Sequence, residues 1–386
     1  MGREGAPGRA RRENGAMARR AKPRAPAGAL CAALIAGCAA SHPIYREPAP
    51  LPPATAAGEP ALRVLVLGDF GDRTHRQRHV AEALRRWSET SPFDLVLQPG
   101  DNLYDCGPDP GLAGADRCRF AEDGVTIAPG VAVSDDPLFR LNEAPLTGLR
   151  GRRGGQVPVY LALGNHDIGE VWFCFVPGMA RDASEERRAC LEVAHRSPTW
   201  RIPGRHYVLD EGSVRFIVVD SNVAATDYGG FTFAAEEAFV REASAPCDAR
   251  PCFLVTHYPP ALASEHPLPG PLGPWGPRMR QLVAAAGGRL AAVLAGHQHA
   301  LEHLTLDGVD VFIAGAGARG ARKTFRAAWP AEARLHFASS AGGFGVLEAR
   351  AGGWSYRAVD ERGRTLHCCD ADGRGPCRPV ACPVAP

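Results

Sequence analysis

The chain has 386 residues, 45% of them apolar, with 44 Lys and Arg against 42 Asp and Glu and a formal net charge of +2. That is the composition of a soluble globular protein, and its near-neutral charge excludes one that grips nucleic acid through a basic face. Its 44 glycines and 34 prolines stay below the level of a disordered low-complexity chain.

The N-terminal stretch reads as an address. After Met17, the basic residues Arg19, Arg20, Lys22 and Arg24 precede a 13-residue apolar run at 25–37 that is too short to span a bilayer, the pattern of a secretory signal. Its end, Leu34-Ile35-Ala36-Gly37-Cys38, resembles the lipobox of bacterial lipoproteins, in which cleavage precedes an acylated cysteine. Residues 1–38 are therefore expected to be a signal, with a lipid on Cys38 holding an extracytoplasmic protein to a membrane; a secreted protein cut near Ala39 or Ala40 is the alternative. Residues 39–60, rich in Pro and Ala without any helical or strand period, are expected to be an extended tether of roughly 3 Å per residue. Besides Cys31 and Cys38 there are ten cysteines, an even number suited to disulfides in an oxidising compartment. They fall in local groups: Cys106 with Cys118, Cys174 with Cys190, Cys247 with Cys252, and four between 368 and 382.

Further along, the apolar run 62–67 predicts a buried strand ending at Gly68-Asp69-Phe70-Gly71-Asp72. A helix over 73–87 follows, then a strand over 94–98 ending at Gly100-Asp101-Asn102-Leu103-Tyr104-Asp105. Residues 106–156 are loop-rich and read as a surface excursion pinned by Cys106 and Cys118. A third strand at 157–163 ends at Gly164-Asn165-His166-Asp167. A hairpin pairs 206–209 with 214–219, and a helix over 234–244 leads to strand 252–256 and His257. After a Pro- and Gly-rich loop, a helix over 278–286 precedes strand 290–295 and Gly296-His297-Gln298-His299. Strands at 301–306, 309–314, 345–350 and 355–359 complete the pattern. The expected fold is α/β (α+β), two packed sheets with helices outside, as one catalytic domain over 61–367 with a Cys-rich tail at 368–386. The stretch 315–324 mimics a phosphate-binding loop, but Arg322 stands where that motif needs glycine, so a nucleotide triphosphatase is excluded.

Five turns at strand ends supply Asp69, Asp101, Tyr104, Asn165, His257, His297 and His299. Neutral imidazole is a common metal ligand, and His-x-His on a tight turn can aim two rings at one volume. Each turn alone reads equally well as an ordinary solvated loop, because Asp and Asn beside Gly mark turns everywhere. Five in this order resemble the calcineurin-like metallophosphoesterases and, within them, the purple acid phosphatases of the tartrate-resistant type. The matching segments are Asp69-Phe70-Gly71, Gly100 to Tyr104, Gly164 to Asp167, Leu254 to His257 and Gly296 to His299; Leu254 replaces the usual valine.

This resemblance implies an αββα sandwich and two metals. Most of the wider family carries histidine where this chain has Gly71, and Tyr104 takes over as a phenolate donor suited to ferric iron. Fe(III) would lie among Asp69, Asp101, Tyr104 and His299, and a divalent ion (Zn, Fe or Mn) among Asp101, Asn165, His257 and His297, with Asp101 bridging. His166 would contact substrate phosphate, and Glu265 and His266 would stand over the leaving group, although Pro267 departs from the usual pattern. The implied activity is hydrolysis of phosphate monoesters by a metal-activated hydroxide, on a phosphorylated small molecule or phosphoprotein, by a monomer. A phosphodiesterase or nucleotidase, or a non-catalytic surface binding protein, are the alternatives. Eight other histidines, His303, His336 and His367 among them, match no motif.

Overall fold

The computed structural model describes residues 42–48, 50–55, 58–131, 136–264, 273–320 and 325–383. The expected signal with Cys38, and also Glu265 and His266, lie outside the described residues.

Two eight-stranded sheets form the frame. In the first, Leu62–Val66, Leu95–Gln98, Val159–Leu161 and Trp200–Arg201 run parallel, and an antiparallel meander of Gly343–Arg350, Gly353–Asp360, Thr365–Asp372 and Arg378–Val380 extends it beside Leu62–Val66. The second repeats this plan. Its parallel strands are Val214–Val218, Cys252–Thr256, Ala292–Ala295 and Val309–Ala314; antiparallel partners are Tyr207–Glu211 on one side and Leu301–Leu306, Arg334–Ser339 and Ile44–Arg46 on the other.

The parallel strands are continuous apolar runs because both their faces are covered. Every residue of Leu62–Val66, Cys252–Thr256 and Ala292–Ala295 is buried. Between the sheets, the Phe312 ring stacks 4.0 Å from that of Tyr356 and the Phe253 ring meets Trp354 at 5.1 Å. Helices His75–Thr90, Arg181–Ala194, Phe233–Ala243 and Gly276–Ala285 connect the strands. The first starts where Thr74 accepts a hydrogen bond from the Gln77 N–H and turns Val80, Ala81 and Leu84 inward. Among the described residues no helix is long and apolar enough to cross a membrane.

Three expectations change. The excursion after Tyr104 does not close on itself: the disulfides are Cys106–Cys174 and Cys118–Cys190, which staple it to the loop after Asp167 and to helix Arg181–Ala194. The long-range partners lie closer in space than the near cysteines in sequence. Part of the expected tether is structured, since Ile44–Arg46 pairs with Arg334–Ser339 and the Thr55 N–H donates to Asp370. The Cys-rich tail continues the first sheet, with Cys369–Cys377 and Cys368–Cys382 cross-linking Thr365–Asp372 to the two flanks of Arg378–Val380. Strands 334–339 and 365–372 escaped sequence reading because buried polar residues, His336 and His367, interrupt their apolar pattern.

Candidate metal centre

Both sheets point the carboxyl ends of their parallel strands at one volume, where open α/β sheets gather ligands. Asp69 follows Leu62–Val66, Asp101 and Tyr104 follow Leu95–Gln98, and Asn165 follows Val159–Leu161. From the second sheet, His257 follows Cys252–Thr256, and His297 and His299 follow Ala292–Ala295. Asp69, Asp101 and His297 have φ of 56°, 53° and 67°. Such conformations cost L residues about 1–3 kcal/mol and cluster at functional sites. Hydrogen bonds hold them: the Asp69 N–H donates to Gly100 O at 3.1 Å, and the His297 N–H donates to Asp69 Oδ2 at 2.8 Å.

The donor atoms form two groups that share one carboxylate. The Tyr104 hydroxyl lies 2.8 Å from Asp101 Oδ2, 3.0 Å from Asp69 Oδ1 and 3.1 Å from His299 Nε2. On the other side, His257 Nε2 lies 3.3 Å from Asp101 Oδ1 and 2.9 Å from Asn165 Oδ1. His297 Nδ1 lies 3.1 Å from the same Asn165 oxygen and 3.2 Å from His257 Nε2. The fold thus brings all seven predicted donors together.

Cations fit this set. Asp69 and His257 are fully buried, and one phenolic proton cannot satisfy two carboxylates. Burial, reinforced by the Asp101 charge, pushes Asp69 up to about 7. Burial and both carboxylates likewise push the Tyr104 phenol well above its ordinary value. For Asp101 burial acts upward, but His257 and His166 hold it below the usual carboxylate range. Anionic oxygens this crowded need positive charge, and a bound cation inverts their proton preference. Oxygen and imidazole donors suit iron, zinc and manganese.

Gly71 leaves room for the Tyr104 turn. A Cβ at position 71 would stand 1.6 Å from Asn102 O, and the Tyr104 N–H donates to Gly71 O at 2.9 Å. The backbone carrying Tyr104 occupies the space that any side chain at 71 would need. Asp167, which had no assigned role, pins the same turn: its carboxylate accepts from the N–H groups of Leu103 (2.8 Å) and Gly164 (2.7 Å) and from Asn102 Nδ2 (3.1 Å).

The His166 N–H donates to Asp101 Oδ1 at 2.9 Å, and its ring packs 4.4 Å from that of Tyr104. Sequence reasoning missed Arg319 and Ser221. The Arg319 guanidinium lies 3.8 Å over the Tyr104 ring and pairs with Asp72 and Asp105. It sits in the stretch that mimicked a phosphate-binding loop, where position carried no signal. The Ser221 hydroxyl accepts the His257 N–H at 3.1 Å; an available clue was its place in a polar turn after an apolar strand. Beside the Cys106–Cys174 disulfide, Trp172, Phe173 and Phe175 are exposed, Trp172 at 91%.

Two facing sheets whose parallel strands converge on a carboxylate-bridged donor set define a metallophosphoesterase fold. The profile of the calcineurin-like phosphoesterase family matches residues 62–301, and the chain belongs to that family of metal-dependent phosphoester hydrolases. GAP50, the anchor in the inner membrane complex of Plasmodium, is similar with a TM-score of 0.57 at 16% identity, over 82% of this chain and 90% of that one. Purple acid phosphatase PPD1 from yellow lupin (Lupinus luteus) seeds is similar with a TM-score of 0.53 at 15% identity, over 81% of this chain and 53% of that one, so this chain spans about half its length. At such identities the likeness is one of fold. No curated protein matches the chain.

Proposed function

We propose that this chain is an acid-phosphatase-like enzyme that hydrolyses phosphate monoesters with two ions. Asp69, Asp101, Tyr104 and His299 would hold Fe(III), and Asp101, Asn165, His257 and His297 would hold divalent Zn, Fe or Mn. The observation that carries this reading is Asp101, whose two oxygens face the two donor groups separately. When bound, the ions supply charge for the phosphate oxygens and lower the pKa of water toward neutrality. The chain's own residues orient the reactants. Asp167 and Gly71 fix the Tyr104 turn, Ser221 fixes His257, and Arg319 braces the Tyr104 ring. His166, beside Asp101 and Tyr104, would hold the substrate phosphate, and Glu265 and His266 would protonate or position the leaving group.

The five disulfides among the described residues belong to an oxidising compartment, and a lipid on Cys38 would hold the enzyme to a membrane there. The deciding experiment combines metal analysis with hydrolysis of p-nitrophenyl phosphate and bis(p-nitrophenyl) phosphate. We expect one iron and one divalent ion per centre, a visible tyrosinate-to-iron band that Tyr104→Phe removes, and a faster monoester reaction. A colourless, iron-free but active enzyme would overturn the ferric assignment. A faster diester reaction would overturn the monoester one.

A further inference from the structure

A second histidine cluster lies inside the same sheet, away from the phosphoesterase centre. His303 and Thr305 alternate along Leu301–Leu306 and so share a face. Asp310 stands directly opposite Thr305 in the register, and His336 comes from the next strand, Arg334–Ser339. Asp310 lies near the start of Val309–Ala314, whose far end meets the metal centre. Asp310 and Ala314 are four residue steps apart along the strand, about 13 Å.

The polar atoms converge. Thr305 Oγ1 lies 2.9 Å from Asp310 Oδ1 and 2.8 Å from His336 Nε2, and His303 Nε2 lies 3.1 Å from Asp310 Oδ1. Ligand atoms of His303, Asp310 and His336 all fall within 4.8 Å of one another. Metal bonds of roughly 2.0–2.2 Å set donors roughly 3–3.5 Å apart, so small side-chain shifts close this set around one ion.

The outward ring nitrogens are occupied in the way metal-binding imidazoles require. His336 Nδ1 lies 2.9 Å from Glu47 Oε2, and His303 Nδ1 lies 2.8 Å from His367 Nε2. With protons on those outer nitrogens, both Nε2 lone pairs face inward, and the carboxylate–His pair fixes the tautomer. His303 and His367 are both buried.

Asp310 needs charge. It is fully buried, and its partners are His303, Thr305 and the Cys377 N–H, none of them a fixed cation. Of the two arginines that line the adjoining cavity, Arg334 pairs with Glu47, and Arg378 is the other. Cys369 lies beside His303 and His367 but is bonded to Cys377, so it is no ligand in the oxidised protein. A cavity of about 540 Å³ lined by Glu47, Thr305, Arg334, His336 and Cys377 opens on the cluster and gives an ion a path in.

We propose that His303, Asp310, His336 and Thr305 form a second metal site, for one divalent ion of the zinc class. The site draws together the segment after Ile44–Arg46, through Glu47, and the C-terminal segment, through Cys377; the ion is a structural clasp between the two ends of the domain. This holds independently of the phosphatase reading, because its test reads metal and not turnover.

The test is zinc titration of the whole purified protein, with metal counted per chain, Tm followed, and anomalous scattering recorded at the zinc edge from crystals. We expect one ion among the four donors beyond those of the phosphoesterase centre, and a Tm several degrees higher with zinc. His336→Gln, which leaves Thr305 a polar partner, and Asp310→Asn each lose that ion and the Tm response and keep phosphoesterase activity. No anomalous peak at the cluster with the phosphoesterase centre filled overturns the proposal, as does an unchanged metal count in a folded variant. If both variants fail to fold, the anomalous map of the unaltered protein decides alone.

Discussion

The two histidine clusters use similar residues and are built in opposite ways. The phosphoesterase centre hangs on turns past the ends of parallel strands, three of its donors in the left-handed region, and each turn is a contiguous motif. The cluster around His303 is assembled within antiparallel strands, from residues opposite or beside one another in register. Turns can move a donor by changing backbone angles, which suits a centre that must admit substrate. Strand positions are fixed by pairing on both sides, which suits an ion that is held and not used.

The largest expected effect separates the clusters outright. Asp101→Ala removes the shared carboxylate and, with it, both ions of the phosphoesterase centre. The loss of several kcal/mol of transition-state stabilisation lowers kcat/KM about 1000-fold or more. Metal analysis of this variant should still find the ion at the Asp310 cluster; loss of only one ion from the phosphoesterase centre would show that Asp101 does not bridge.

Gly71→Ala comes next, and it tests whether the turn geometry or the donor list makes the site. Its Cβ meets backbone, not a flexible side chain, so overpacking should cost about 3 kcal/mol in chemical denaturation and weaken the visible band. A variant with native stability and colour would show that the Tyr104 turn is free to shift.

A smaller effect is expected from Arg319→Met, which takes the cation off the Tyr104 ring while leaving every donor in place. A contact of this kind is worth about 1–2 kcal/mol, which corresponds to about tenfold in kcat/KM together with a shifted absorption band. An unchanged band would mean that Arg319 only ties Asp72 to Asp105.

The last effect leaves activity aside and concerns the pH dependence of stability: Glu192 is buried behind the centre, where it accepts from Asn102 Nδ2 at 2.8 Å. Burial pushes its carboxyl up to about 8. Between its ordinary value of 4.5 and about 8, the unfolded chain releases the proton while the folded one retains it, so this contribution to stability falls as pH rises through that window. Glu192→Gln should leave Tm at pH 4 unchanged and raise it at pH 8, by about 2–4 °C for each kcal/mol recovered. Equal Tm at both pH values in the two proteins would place the proton elsewhere.

Much of this was legible in the sequence. The buried parallel strands announced themselves as apolar runs, and Cys252–Thr256, Leu301–Leu306 and Val309–Ala314 match their expected bounds. The sequence by itself determined the turns after the strands, because a strand followed at once by a tight turn is a local arrangement and its residues are neighbours in the chain; that Gly71 makes room for the Tyr104 turn was decided where two parallel strands lie side by side. Only the tertiary structure decided the crosswise disulfides, the brace of Arg319 on Tyr104 and the cluster of His303, Asp310 and His336. Their partners meet through sheet register and loop packing, from 7 residues apart for His303 and Asp310 to 215 for Arg319 and Tyr104. No short-range pattern records which strand will lie beside which.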